Sequence, residues 1–216
     1  MSVPAVSTRA LAGTTLVAVG LFPLIVLALN LVQRSDGYSP VRNAVSELAL
    51  GRDGGLMAVA FCSLAVGTLA FAALLHRTSS TAGFRTSLLA LAGMLTFVSA
   101  GVHTDRTGAP ATTHGDIHNA AGIITFVAML VAMGVSAWRF RGEPRWRGLA
   151  LPTTALTAAG VVAFFLIPVL GDARFGVGQR LLIGSFVCWL LTGAAHQLRV
   201  TSGQASAPGL RRARAV

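Results

Sequence analysis

Apolar and polar residues alternate along this chain in long blocks, with apolar runs of helical length separated by short polar stretches. A helix needs about 20 apolar residues to cross a bilayer, because no water is available there to bond an exposed backbone. Six runs fit, the third being the shortest: residues 10–32, 55–75, 86–102, 117–138, 149–170 and 181–200. The pattern predicts an all-α membrane protein, a bundle of six transmembrane helices that forms a single domain over residues 1–200.

Composition supports the same class. Hydrophobic residues make up 54% of the 216 residues and charged residues 11%, against roughly 25% charged in a soluble domain. A cleaved signal peptide is the alternative reading of the first run. That run is long for the apolar region of a signal, and no small-residue cleavage motif follows it, so we expect a retained helix.

All seventeen basic residues are arginines, and short arginine-rich loops stay on the cytoplasmic side of a membrane. One side of the predicted bundle holds a single acid, Glu143, and eleven arginines: Arg9, Arg77, Arg85, Arg139, Arg141, Arg145, Arg147, Arg199, Arg211, Arg212 and Arg214. The other side holds Arg34, Arg42, Arg52, Arg106, Arg174 and Arg180 with six acids: Asp36, Glu47, Asp53, Asp105, Asp116 and Asp172. We therefore predict a multi-pass protein of the cell membrane with both termini in the cytoplasm.

The net charge of +10 lies in these short loops and in residues 201–216. That last stretch is polar and lacks apolar periodicity, so we expect a disordered basic cytoplasmic tail. Positive charge beside a bilayer favours anionic lipid head groups as partners rather than nucleic acid. The sequence does not indicate an oligomeric state.

The first polar loop predicts a short interfacial helix over residues 39–50, because a Ser-Pro pair opens it and Gly51 follows it. Asn43 and Glu47 are four residues apart and share one face. Another face carries three apolar residues: Val41, Val45 and Leu48. The helix is either an amphipathic plug with solvated charges or a polar lid over the mouth of the bundle, and we favour the lid.

Residues 103–119 hold three of the five histidines and two of the seven acids. Thr113, with Asp116 three residues later, fits a capping box at the start of the fourth helix. His114 and His118 then share one helical face, at a spacing that can present two imidazoles to a metal.

A divalent metal site is one hypothesis for this stretch, with His103 or Asp105 as third ligand and Glu47 as base toward a bound water. The spacing lacks the internal glutamate of the zincin motif. The alternative is that each group has a purely structural role. Asp116 would cap a helix, Asp105 would form a turn or a salt bridge, and the histidines would be solvated.

A weak internal repeat appears when residues 92–93 are laid on residues 159–160, since an aspartate follows each glycine by twelve residues, namely Asp105 and Asp172. The repeat is either a duplicated helical hairpin or chance similarity between apolar segments. Duplication would place both aspartates at the same rim.

The chain resembles the integral-membrane family catalogued as domain of unknown function 998. The resemblance covers most of the chain and is carried by the sequence Tyr-Ser-Pro-Val-Arg-Asn-Ala-Val-Ser-Glu-Leu at residues 38–48, an aspartate loop after the third helix, and Ile-His-Asn at residues 117–119. Its most specific residues are Asn43, Ser46, Glu47, Asp105 and His118. The resemblance implies the helical topology and a polar cluster at the outer mouth, but no reaction.

Three classes of function follow. The leading hypothesis is binding or transport of a lipid-like or small polar ligand by six residues: Asn43, Ser46, Glu47, Asp105, His118 and Asp172. The second is a metal-assisted hydrolase of a lipid-like substrate, with Glu47, Asp105 and His118 as catalytic candidates. Its cluster resembles the ceramidase and adiponectin-receptor superfamily in composition, though not in order. The third is a b-type cytochrome with two histidine pairs, His76 with His196 and His103 with His118.

Overall fold

The computed structural model describes residues 6–205, which contain helices and no strands. Five long helices follow in order: α1 Thr8–Gln33, α2 Gly55–Thr78, α3 Gly83–Gly101, α4 Thr113–Phe140 and α5 Ala150–Ala205. Short 3₁₀ helices lie at Arg34–Asp36, Val45–Leu50 and Arg147–Leu149. The predicted all-α class is confirmed. Because α5 runs to Ala205, the first five residues of the predicted tail are helical, and the rest of that tail lies outside the described residues.

The helix α5 consists of two arms. The backbone leaves helical geometry at Gly171, with φ 57° and ψ −171°, a combination open essentially to glycine alone. Beyond this point the chain folds back on itself, so that Gly178 lies against Ile167 and Gly160 lies against Ser185. The two arms contain the fifth and sixth predicted apolar runs.

All five helices are long and apolar enough to cross a membrane, which indicates a multi-pass membrane protein. They pack as a closed ring in which each helix contacts the next and α5 returns to α1. Glycine allows some of these close approaches: a side chain at position 67 of α2 would collide with Val19 of α1.

The bundle has two ends. One end consists of residues 34–54, 102–112 and 171–180, and we call it the site end because the candidate site described below lies there. The opposite end consists of residues 79–82 and 141–149. At the opposite end the fully buried Arg85 forms an ion pair with Glu143 at 2.9 Å. Arg85 also donates to Thr81 at 3.2 Å and lies over the ring of Phe140. These contacts join the α2–α3 and α4–α5 connections.

The first loop differs from the predicted helix over residues 39–50. Residues 39–43 form a turn, and only Val45–Leu50 is helical, with 3₁₀ geometry. Val45 and Leu48 are buried as expected, since residues three apart share a face of a 3₁₀ helix. The expectation for Val41 is wrong, because its side chain is 46% exposed. Ser46 is buried as well, so this segment dips into the bundle instead of lying flat along its surface.

Candidate functional site

A cavity of about 800 Å³ lies inside the bundle and is bounded at the site end by residues 44–47 and 104–109. His118 and Met129 both line it and lie eleven residues apart on α4, which corresponds to about 16 Å along a helix. Its deeper wall is mostly apolar and includes three threonines, Thr68, Thr96 and Thr125. The apolar residues are Phe61, Leu64, Ala92, Phe126, Met129, Phe164, Ile167, Ile183, Phe186, Val187 and Leu190. The cavity therefore combines a polar entrance region with an apolar shaft.

The polar end of this cavity gathers residues from four parts of the chain: Ser46, Glu47, Thr104, Asp105, Arg106, Thr107, His118, Asn119 and Gln179. Four of them were selected from the sequence, namely Ser46, Glu47, Asp105 and His118. Asn43 lies one step behind, hydrogen-bonded to Glu47. Asp172 is exposed and is not among the residues that line the cavity. The structure thus brings together four of the six predicted ligand-binding residues at one end of the cavity.

Glu47 is only 6% exposed and is held by three donors. Its Oε1 accepts from the Ala44 backbone N–H at 2.9 Å and from the Thr107 hydroxyl at 2.7 Å. Its Oε2 accepts from the Asn43 amide at 3.0 Å. Glu47 and Arg106 also line a smaller crevice of about 150 Å³. The carboxylate therefore stands in the wall between the cavity and this crevice.

Two glutamines fix the 3₁₀ helix that carries Glu47. Gln33, buried at the end of α1, donates from Nε2 to the Leu48 carbonyl at 2.8 Å and to the Arg52 carbonyl at 2.7 Å. Gln179, on the second arm of α5, accepts from the Val45 N–H at 2.7 Å. The segment is thereby bonded to both neighbouring helices.

Arg180 stabilises the preceding turn, residues 39–43, by hydrogen bonds. Its Nη1 donates to the carbonyl oxygens of Pro40 at 2.8 Å and Asn43 at 2.9 Å, and its Nη2 donates to the Tyr38 hydroxyl. Burial raises the pKa of Tyr38 above its ordinary value, while the positive charge of Arg180 opposes that rise. The turn that leads to Glu47 is therefore bound to α5 by the Arg180 guanidinium and also by the Val177 N–H, which donates to the Val41 carbonyl at 3.3 Å.

Sequence reasoning missed four polar residues that position the site: Gln33, Thr107, Gln179 and Arg180. Gln33, Gln179 and Arg180 lie at the ends of apolar runs, on the same side of the bundle as Glu47. That position is the sequence feature that could have indicated their role at the site. The sequence gives no such indication for Thr107, because it is one of several threonines in a loop that lies sixty residues from its partner, Glu47.

Asp105 shapes the loop between α3 and α4. Its Oδ2 accepts from the Thr112 N–H and its Oδ1 from the Thr112 hydroxyl, both at 2.8 Å. Thr112, rather than the predicted Thr113, caps α4, since its Oγ1 accepts from the Gly115 N–H at 3.1 Å. The cap lies one residue earlier because Asp105 holds Thr112 in an extended conformation beside the helix start.

His118 is buried in the second turn of α4. Its Nδ1 donates to the Val102 carbonyl at 2.9 Å, and its ring meets Phe61 edge-on at a centroid distance of 6.0 Å. A carbonyl can only accept, so Nδ1 carries a proton, and neutral His118 has Nε2 as its acceptor nitrogen. The imidazole therefore has a fixed orientation on the cavity wall.

The other histidines lie apart from this wall. His103 and His114 are exposed, and within residues 6–205 no three His, Cys, Asp or Glu side chains form a group that could hold a metal ion. His76 is exposed, and His196 Nε2 lies 2.8 Å from the Arg145 carbonyl. The metal and haem hypotheses stay predictions from the sequence alone.

Comparison with curated proteins gave no match, and comparison with solved structures gave none. A model of one protein family matches residues 16–196. The matched region extends from α1 through most of the second arm of α5 and includes every residue of the polar end of the cavity. The chain therefore belongs to the family described as "Protein of unknown function (DUF998)".

Proposed function

We propose that this protein binds an amphipathic, lipid-like molecule in the bundle cavity, with the polar head beside Glu47 and His118 and the tail in the apolar shaft. One observation carries the proposal: a single cavity of about 800 Å³ joins a cluster of fixed polar groups to an apolar interior. Ligand sites of about 300–1,000 Å³ are typically apolar with a few convergent polar groups.

The depth of the cavity agrees with such a ligand. The 16 Å or so between His118 and Met129 is about half of the roughly 30 Å hydrocarbon core. That distance is the depth that the acyl chains of one bilayer leaflet occupy. A tail bound beside α4 would therefore leave its head at the level where lipid head groups normally lie.

A sideways entrance suits a ligand that comes from the bilayer. Ile123 of α4 and Phe165 of the first arm of α5 line the cavity, yet their side chains are 56% and 67% exposed. We propose that lipid enters between these two helices. Binding is the function proposed, and transfer of the bound molecule would use the same cavity.

The proposal includes a topology of six membrane crossings, one for each of α1 to α4 and one for each arm of α5. Arginines dominate the opposite end of the bundle, so we place that end and both termini in the cytoplasm and the site end outside. The arginines would then contact anionic head groups of the cell membrane. Glu47 would face the outer leaflet.

A substitution that fills the cavity tests the proposed binding. Gly122 lines the cavity, and a Cβ added there would meet nothing within 4 Å, so the side chain of Gly122→Leu starts from an open position on the lining. Gly20 has equally open surroundings but lies on α1 outside the cavity lining, which makes Gly20→Leu a matched control.

The measurement is the amount of lipid that remains with each protein after purification in mild detergent, determined by mass spectrometry of extracts. Wild type and Gly20→Leu should retain the same bound lipid, and Gly122→Leu should lose most of it. Equal retention by Gly122→Leu, or no specific retention by wild type, would contradict the proposal.

A further inference from the structure

Glu47 is a buried carboxylate whose partners in the described part of the chain are all neutral: the Ala44 N–H, the Thr107 hydroxyl and the Asn43 amide. Between residues 6 and 205, the one ion pair within 4 Å is Arg85–Glu143, at the opposite end. A buried charge is unfavourable unless an opposite charge lies beside it. The Glu47 carboxylate therefore has no ion-pair partner within 4 Å among the described residues.

The polar end also offers acceptor positions at Glu47 and His118. A carboxylate can accept about four hydrogen bonds; Glu47 Oε1 takes two and Oε2 takes one, so Oε2 retains capacity for another donor. Neutral His118 adds the acceptor Nε2, because its Nδ1 is bonded to Val102. A ligand head that donates hydrogen bonds therefore finds acceptors at Glu47 and His118, and the amide groups of Asn119 and Gln179, which also line the cavity, could donate to other polar atoms of the ligand.

Three other charged side chains lie near Glu47, namely Asp105, Arg106 and Arg180. Arg180 donates to the Asn43 carbonyl and the Tyr38 hydroxyl and forms no ion pair with Glu47 within 4 Å. Both oxygens of Asp105 accept from Thr112. Among the described residues that line the cavity, Arg106 is the one arginine, and its side chain is exposed whereas Glu47 is buried. Charges act more strongly where water is excluded, so the buried Glu47 carboxylate should act on a ligand in the cavity more strongly than the exposed Arg106 does.

We infer that the head group bound here is a protonated amine, carried on a lipid-like chain. This inference rests on the function proposed above and adds the class of its ligand. An ammonium would give Glu47 the opposite charge that it lacks and donate to its Oε2, in a charge-assisted bond about twice as strong as a neutral one. The six arginines and six acids of the site end balance, so we expect selectivity for an amine at this end to come from the local carboxylate.

The test uses three amphiphiles with one twelve-carbon chain and different heads: dodecylamine, 1-dodecanol and dodecanoate. Each is titrated calorimetrically into the purified full-length protein in a non-ionic detergent at neutral pH, with partition into empty micelles subtracted. Wild type should bind dodecylamine about tenfold more tightly than 1-dodecanol, as expected for gain of a charge-assisted bond. Glu47→Gln should bring the two affinities together.

Asp172→Asn is the matched control, because it removes the same charge from an exposed acid at the same end, outside the cavity lining. It should keep the preference for dodecylamine. Equal wild-type affinities for the amine and the alcohol would refute the amine inference and leave lipid binding intact. Tightest binding of dodecanoate, lost in Arg106→Gln, would assign an anionic head instead. Binding of none of the three would contradict the proposed function itself. If Glu47→Gln does not fold, the order of the three wild-type affinities still tests the amine inference.

Discussion

Glu47 illustrates what single residues reveal. Its position between apolar runs, on the side that holds most acids, was enough to predict a polar group at one mouth of the bundle. Its burial and its bond to Thr107 were not predictable, because that contact joins residues sixty positions apart whose spacing has no sequence signal. Local pattern therefore predicted which end of the bundle Glu47 occupies, and tertiary structure determined what it contacts.

Gly115 controls the position of Asp105. A methyl group at position 115 would lie 1.9 Å from Asp105 Oδ2, so Gly115→Ala should displace the carboxylate from Thr112. We expect a loss of about 1–3 kcal/mol in the free energy of unfolding, the usual cost of overpacking. Unfolding in mixed detergent micelles measures it.

Gly55→Ala serves as the control for that substitution, since a Cβ there meets nothing within 4 Å and alanine favours the helix. It should be at least as stable as wild type. If Gly115→Ala unfolds like Gly55→Ala, then Asp105 does not pack against α4 as described.

Tyr38 is the chain's single tyrosine, so its ionisation can be followed directly by phenolate absorbance. Because burial raises its pKa, the midpoint in the folded protein should lie above the ordinary value of about 10. Its contribution to stability is complete below the ordinary pKa and is lost as pH rises through the raised one. A folded-state midpoint at or below that of the denatured chain would show that Tyr38 is not buried against Arg180.

The segment over residues 39–50 shows how an element can depart from its local signals. The Ser-Pro start and the glycine stop favoured a continuous helix, but a turn and a 3₁₀ helix formed instead. Gln33 and Arg180 donate to backbone carbonyls, and Gln179 accepts from a backbone N–H, so these side chains satisfy backbone groups that a continuous helix would have bonded internally. None of these tertiary partners could be identified before the helices were arranged in space.

We expect Arg180 to contribute most to the stability of this segment. Arg180→Lys keeps the charge but loses the guanidinium that reaches Pro40, Asn43 and Tyr38 together. We expect faster hydrogen exchange across residues 38–50 and a stability loss of about 2 kcal/mol. Arg174→Lys, at an exposed position nearby, should leave exchange unchanged. Unaltered exchange in Arg180→Lys would mean that other contacts hold the loop.

For the molecule as a whole, apolar run length predicted the helices well. The first four runs match α1 to α4 within a few residues, because the hydrophobic thickness of a bilayer constrains helix length strongly. The order of helices around the ring was not predictable, since lipid-facing and cavity-facing residues are both apolar. For the same reason the cavity itself left no signal in the sequence.

Orientation in the membrane is tested with two near-isosteric substitutions, Ser35→Cys at the site end and Ser80→Cys at the opposite end, both at exposed positions. Cys62 and Cys188 are first replaced by alanine. In intact cells, a membrane-impermeant thiol reagent should label Ser35→Cys and leave Ser80→Cys unmodified until the membrane is opened. The reverse pattern would show that the proposed orientation is inverted. Labelling of both positions in intact cells would contradict the proposal that α2, which lies between Ser35 and Ser80, crosses the membrane.

The most direct measurement of lipid binding in the cavity is photo-crosslinking with a lipid whose acyl chain carries a diazirine, followed by mass-spectrometric mapping of the labelled residues. The account predicts labels on the cavity wall, at Thr96, Phe126 and Met129, that disappear in Gly122→Leu and persist in Gly20→Leu. Labels confined to outward-facing residues such as Val17, Leu24 and Leu31, and unaffected by Gly122→Leu, would show that lipid touches only the outside of the bundle.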